Sequence, residues 1–282
     1  MQATWERRGW VVVLPVKGGT DAKSRLRPGP DLAAAIAADC LDAVLSTPSA
    51  RRVLVVTGDG ATAAAAGGAG AEVVRQPASQ PGLDAAVAAG LAATGEDGPV
   101  AVLLADLPAL RPEDLDGALR LLQERLVGER ADAAAAFVPD HDGVGTVLLA
   151  GLRADRLRPR FGAGSAAAHE AAGALRADLD LPRLRRDVDT AEDLAAALLL
   201  GVGPRTARTL EGVQATVIRY DAVAGTGEVV TDDGLRLPMS PGAVDRSGLR
   251  HLRAGQRVSC EAVLDVGSPV AVTRVRVQGV SG

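Results

Sequence analysis

What most limits the fold of this chain is an alternation between residues 10 and 150. Short, continuous apolar runs rich in β-branched residues recur with helix-forming stretches between them. Trp10 to Val16 reads WVVVLPV; RVLVVT from Arg52, AEVVR from Ala71, VAVLL from Val100, AAAAFV from Ala133 and TVLLA from Thr146 follow. A run without polar alternation leaves no face for water, so each is expected to be a strand covered on both sides. Helices are expected over Asp31–Ser46, Ala61–Ala66, Leu83–Ala93 and Pro112–Val127. The last opens with Pro at a first-turn position and with Glu113 and Asp114, which suit the positive end of a helix. Strand and helix in turn predict an α/β fold: a mostly parallel, doubly wound sheet with three layers, whose ligands gather at the carboxyl ends of the strands.

A further helix is expected from Asp193 to Leu200, then GVGPRTAR (Gly201–Arg208) as a linker and last short helix. The pattern then changes. From Gly212 only short strand-like runs remain: ATVIRY, GEVVT, a turn at Asp232–Gly234, RVSCEAVLDV and VAVTRVRV. Short strand-like runs of this kind over about 70 residues predict a small all-β barrel of the OB type. Two domains are therefore expected, residues 1–210 and residues 211–282, and 282 residues are enough for both.

No apolar stretch reaches the roughly 20 residues of a membrane span. The N-terminus, with Glu6, Arg7 and Arg8, has neither the apolar region nor the cleavage site of a secretory signal. A cytoplasmic protein without membrane contact is expected. Cys40 and Cys260 have no zinc-ligand spacing and make no disulfide scaffold, so both are expected in the core. A net charge of −4 argues against a general nucleic-acid binder, and any anionic ligand must be captured locally.

The basic residues point to where. Of 31, 29 are Arg, and the two lysines, Lys17 and Lys23, fall in one seven-residue window directly after the first strand. In KGGTDAKSRL (Lys17–Leu26), Gly18 and Gly19 let backbone N–H groups approach phosphates while Lys17, Lys23 and Arg25 neutralise charge. The order GxxxxGK[ST] is absent, and so is GxGxxG. A second constellation is Ala105-Asp106-Leu107-Pro108, where a carboxylate ends a buried strand and can hold a divalent cation, or can cap the helix near Pro112. Third, in Asp187-Val188-Asp189-Thr190, extended backbone turns both carboxylates one way and Val188 toward the core, while Thr190 and Asp193 resemble a capping box. Three carboxylates from distant positions and a lysine-bearing loop fit Mg²⁺ and a triphosphate. The fourth is Gly143-Val144-Gly145-Thr146 with Arg160-Phe161-Gly162-Ala163-Gly164-Ser165, glycines and hydroxyls that can cradle a small anion or merely make turns. His141 and His169 flank these loops and read as surface or core histidines.

Together these residues resemble the 2-phospho-L-lactate / phosphoenolpyruvate guanylyltransferase family of coenzyme F-420 biosynthesis. The likeness covers about residues 10 to 208 and rests on LPVKGGTDAKSRL, ADLPAL, GVGT, PRFGAGS, DVDTAEDL and GVGPRTAR in that order. It implies a nucleotidyltransferase-type Rossmann-like fold joining GMP from GTP to a phosphorylated three-carbon acid with release of pyrophosphate. By the same resemblance Asp106, Asp187 and Asp189 would be metal ligands, and Thr146, Gly162 and Ser165 acceptor contacts. Lys17, Gly18, Lys23 and Arg25 would meet the triphosphate. Asp84 stands where the family usually has Asn after Gly-Leu, so a contact to the nucleotide made by an amide passes here to a carboxylate or is lost.

The C-terminal part resembles a cold-shock-type OB module. Such modules bind single strands by stacking bases on aromatics over a basic surface. Residues 211–282 hold one aromatic, Tyr220, with eight basic and eight acidic residues, which argues against nucleic acid as a partner.

The expected chemistry is attack of the acceptor phosphate on the α-phosphorus of GTP with Mg²⁺ held by the three aspartates, positioning and charge neutralisation supplying the catalysis. Alternatives are nucleotidyl transfer to a molybdopterin or sugar phosphate, and an inactive transferase serving as a nucleic-acid adaptor. The sequence does not choose among phosphoenolpyruvate, 2-phospholactate and 3-phosphoglycerate, and leaves the oligomeric state open, a homodimer included.

Overall fold

The computed structural model of the chain describes residues 9–17, 29–95, 98–128, 133–210, 213–232, 234–245, 249, 251–263 and 271–277. The apolar run at the start forms β1 (Trp10–Pro15), with all six residues buried. Its side chains alternate between two cores, as strand geometry requires. Trp10, Val12 and Leu14 join one cluster, and Val11 and Val13 join another on the opposite face.

β1 lies between β2 (Ala50–Thr57) and β4 (Val100–Leu103), parallel to both, and β3 (Glu72–Arg75) continues the parallel set beyond β2. On the other side the direction reverses. β6 (Thr146–Gly151) runs antiparallel to β4 and to β5 (Ala136–Pro139), while β7 (Leu175–Arg176) is parallel to β5. The sheet order is β3-β2-β1-β4-β6-β5-β7. The reversal has a local cause, because β5 and β6 are joined by a short turn at residues 140–145, too short for the crossover a parallel pair needs. The sheet is thus mostly parallel, with one hairpin inserted.

Helices cover both faces. α1 (Gly29–Leu45) and α4 (Pro112–Val127) pack on one side, where Cys40, Val44, Leu115, Leu119 and Leu122 meet Trp10 and Leu14. α2 (Gly60–Gly68) covers the β2–β3 edge through Ala66. α3 (Leu83–Ala93) and α5 (Ser165–Ala171) pack on the other face through Ala86, Val87 and Ala166. α3 approaches so closely that a Cβ on Gly90 would lie 2.3 Å from Val13 Cγ1. Short helices α6 (Pro182–Arg185), α7 (Ala191–Leu200) and α8 (Pro204–Arg208) finish this part of the chain. Among the described residues no helix is long and apolar enough to cross a membrane.

Beyond it, β8 (Val213–Asp221), β9 (Thr226–Thr231), β10 (Arg236–Met239), β11 (Arg257–Val263) and β12 (Ala271–Val277) close a barrel in the order β10-β12-β11-β8-β9. Its interior does not end at the barrel wall. Val217, Val229, Leu237, Met239, Val258 and Val275 belong to one apolar cluster with Leu32 and Ile36 of α1 and Leu194 and Leu198 of α7. The architecture changes near residue 211 while the buried cluster runs on. Both cysteines are free and buried, as expected of small apolar side chains.

Candidate active site

The carboxyl ends of the four parallel strands β1 to β4 converge, and ligands of such sheets collect there. Val16 and Lys17 after β1, Gly58 and Asp59 after β2, Gln76 after β3 and Ala105 and Asp106 after β4 wall a cavity of about 810 Å³. The start of α3 and Ala33 and Ala37 of α1 complete it. The sequence-predicted Lys17 is on this wall; Gly18, Lys23 and Arg25 lie outside the described residues.

Two cavity residues were not singled out from the sequence. The Asp59 carboxylate accepts from the Thr62 amide and hydroxyl, each at 2.7 Å, and so caps α2; those bonds hold its pKa below the ordinary value. The Gln76 carboxamide donates to the carbonyls of Gln80 at 2.9 Å and Gly82 at 2.8 Å, tying down the loop that leads into α3. α3 itself begins at Gly82, whose φ of 105° suits glycine, without a side-chain cap. Its first-turn N–H groups at the cavity wall are thus left for a ligand or solvent. Asp84, predicted to touch the nucleotide, is exposed in that turn and is not among the residues of the cavity wall.

Asp106 follows β4, and it does not cap α4: the residue before that helix is Arg111, with no side-chain cap bond. Instead the Asp106 carbonyl accepts from the Val188 amide at 3.1 Å. Val188 is buried in the cluster shared with the barrel, as expected from its place between two aspartates. Asp187 and Asp189 are therefore brought beside the end of β4. Burial, then the negative charges of Asp106, Asp140 and Asp189, pushes the Asp187 carboxyl up to about 7. Thr190 and Asp193 form the capping box of α7, the Thr190 hydroxyl accepting from the Asp193 amide at 3.2 Å and Asp193 accepting from the Thr190 amide at 2.9 Å. Among the described residues, no three acidic, histidine or cysteine side chains converge closely enough to hold a metal ion alone. Asp106, Asp187 and Asp189, all among the described residues, do not form such a group by themselves.

The two glycine loops are brought together. The Ala166 amide, in the first turn of α5, donates to the Val144 carbonyl at 3.0 Å. Thr146 and Ser165 are both buried nearby, and Gly162 takes φ 120°, a conformation open to glycine. Asp140, not selected from the sequence, organises the first loop: its carboxylate accepts the amides of Val144 at 2.9 Å and Gly145 at 2.7 Å. The charges of Asp106, on the cavity wall, and of Asp140, beneath this loop, both act on the Asp187 carboxyl. His169, read as a surface or core histidine, is fully buried, and its Nδ1 lies 2.9 Å from Thr146 Oγ1.

A mostly parallel three-layer sheet with a cavity at its strand ends and Lys17 and Asp106 on the wall is an architecture suited to holding a nucleotide, and likeness to known proteins identifies its class as nucleotidyltransferase. The model of the MobA-like NTP transferase domain matches residues 34–188, more than half of the chain. The chain belongs to the phosphoenolpyruvate guanylyltransferase family. It is 51% identical over 205 residues to the phosphoenolpyruvate guanylyltransferase of Salinispora arenicola, covering 70% of this chain and 92% of that one. Over 216 residues it is 44% identical to that of Geodermatophilus obscurus, covering 73% and 95%. Among solved structures, a putative nucleotide-diphospho-sugar transferase from Desulfovibrio desulfuricans superposes with a TM-score of 0.47 at 22% identity, over 66% of this chain and 85% of that one. The protein is a nucleotidyltransferase enzyme, and enzymes of this kind generally use a divalent metal ion.

Proposed function

We propose that this protein transfers GMP from GTP to phosphoenolpyruvate or 2-phospho-L-lactate with release of pyrophosphate, in the cytoplasm and as a step of coenzyme F-420 biosynthesis. The observation that carries the reading is the kinship with phosphoenolpyruvate guanylyltransferases together with a cavity at the carboxyl ends of β1 to β4 that has Lys17 and Asp106 on its wall; Asp187 responds to the charges of both Asp106 and Asp140. Nucleotide and acceptor bound on its two sides would meet at that carboxylate.

GTP would occupy the cavity with its triphosphate toward Lys17 and the neighbouring Lys23 and Arg25. Gly18 and the uncapped first turn of α3 would add backbone N–H donors. Thr146, Gly162 and Ser165 would orient the acid, and Asp84 would influence base preference from outside the cavity wall. An oxygen of the acceptor phosphate attacks the α-phosphorus, a P–O bond forms, and the bond to the β-phosphate oxygen breaks as pyrophosphate leaves. The acceptor phosphate is already ionised at neutral pH, so no protein nucleophile or base is needed. Asp106, Asp187 and Asp189 are the residues that would hold Mg²⁺. The fit rests on Asp187: a half-buried carboxylate among three other acids is relieved by a cation with a preference for oxygen. When bound, Mg²⁺ offsets the negative charge of the phosphates.

Residues 1–210 would carry this reaction and residues 211–282 would form a separate OB-type module packed on it. Pyrophosphate release from GTP with phosphoenolpyruvate, 2-phospholactate and 3-phosphoglycerate, with ATP and CTP as controls, tests the reading. Release with GTP and at least one acid is expected; no release with any acid sinks it.

A further inference from the structure

His169 lies in α5 with no exposed surface, so its two ring nitrogens must find partners within the protein. Nε2 accepts the backbone N–H of Arg160 at 2.9 Å. A backbone amide only donates, so Nε2 carries the lone pair and the neutral ring bears its proton on Nδ1. Nδ1 is 2.9 Å from Thr146 Oγ1, which must then accept. With that lone pair used, the Thr146 hydroxyl keeps its own hydrogen to donate elsewhere.

The ring is held in place by apolar contact as well. The chain has two phenylalanines, and both pack on this imidazole: Phe137 at 5.6 Å between centroids and Phe161 at 5.3 Å, edge-on at 77°. Phe161 belongs to the loop whose amide, at Arg160, His169 accepts. The same side chain thus grips both acceptor loops, at Thr146 and at Arg160. Protonation would set an Nε2–H against the Arg160 N–H, two donors face to face. Burial lowers the imidazole pKa, Arg160 acts in the same sense, and the Ser165 carbonyl and the charge of Asp84 act against it.

We propose that His169 is a positioning residue for the acceptor: its Nδ1–H commits the Thr146 hydroxyl to donate to the phosphorylated acid, and its Nε2 holds the Arg160–Ser165 loop at the matching distance. The proposal rests on the functional reading in assigning the acid to Thr146, Gly162 and Ser165.

His169→Phe keeps an aromatic ring between Phe137 and Phe161 and removes both hydrogen bonds. Calorimetry on the full chain, with phosphoenolpyruvate and GTP titrated separately, is expected to show phosphoenolpyruvate bound roughly tenfold more weakly and GTP within about twofold of wild type. Unchanged phosphoenolpyruvate affinity, or an equal loss for both ligands, overturns the positioning role. A wild type that binds no phosphoenolpyruvate, 2-phospholactate or 3-phosphoglycerate overturns the functional reading, and this proposal with it. Ring ¹⁵N spectra of the wild type supply a readout independent of whether the variant folds. With three histidines in the chain, the signal of His169 is expected in the Nδ1–H form at pH 7. An Nε2–H form or an imidazolium at that pH overturns the proposal.

Discussion

The main-chain amide of Val188 donates to the carbonyl oxygen of Asp106 at 3.1 Å across a sequence separation that leaves no local reason for them to meet. The bond fixes the end of β4 against the segment before α7. Aspartates 187 and 189, on either side of a buried valine, are thereby tied to the segment that puts Asp106 on the cavity wall.

Asp106→Asn keeps the size of the side chain and the backbone bond to Val188 while removing the charge. Turnover is expected to fall by about 100-fold or more, with the melting temperature little changed. Steady-state pyrophosphate release and a thermal melt check both, and wild-type turnover would remove Asp106 from the metal site.

The Asp187 carboxyl, pushed up to about 7, would as a metal ligand give metal binding a pH dependence. Between the ordinary carboxylate range and about pH 7, the folded, metal-free protein holds on Asp187 a proton that the unfolded chain has lost. Stability from this group is therefore greatest at low pH and declines as pH rises toward about 7, after which it is level. A divalent cation competes with that proton, so stabilisation by Mg²⁺ should increase from pH 6 to pH 8. Melts with Mg²⁺ and with EDTA measure it, and in Asp187→Asn the increase should vanish.

Asp140→Ala removes the acceptor for the Val144 and Gly145 amides and one of the charges facing Asp187. Two effects are expected together: a KM for the acceptor raised by about tenfold, and a lower pH midpoint for Mg²⁺ binding. A change in KM for GTP alone would contradict the loop assignment.

Gly90→Ala places a methyl 2.3 Å from Val13 Cγ1 and 2.8 Å from Val56 Cγ2. Overpacking of this kind costs about 1–3 kcal/mol, so a lower melting temperature is expected with substrate KM values nearly unchanged. Differential scanning calorimetry decides it.

Much of the fold was legible because the signals are physical and local. Leu83–Ala93 and Pro112–Val127 are helices over the residues that their composition and first-turn chemistry suggest. The direction of β6 was not legible, because a strand buried on both faces reads the same either way and only the shortness of the turn before it decides. β7 and α6, of two and four residues, are too short to carry a period. In the site, Val188 between two aspartates declared its burial through extended-chain alternation. Asp140 could have been noticed, since an acid five residues before Gly145 is placed to accept turn amides. His169 could not, because its function depends on Thr146, 23 residues away, and on the backbone of a loop. Asp84, which motif position puts near the nucleotide, is exposed in the first turn of α3 and is not among the residues of the cavity wall.

The apolar cluster that unites the barrel with α1, α7 and Val188 has a consequence for how this chain can change. Leu237, Met239 and Val258 share packing with the residue that separates two of the site's aspartates, so the two halves are subject to joint selection. The barrel is not an exchangeable cassette: a graft from another protein would have to match the shapes of Leu194 and Leu198 to keep the shared cluster packed.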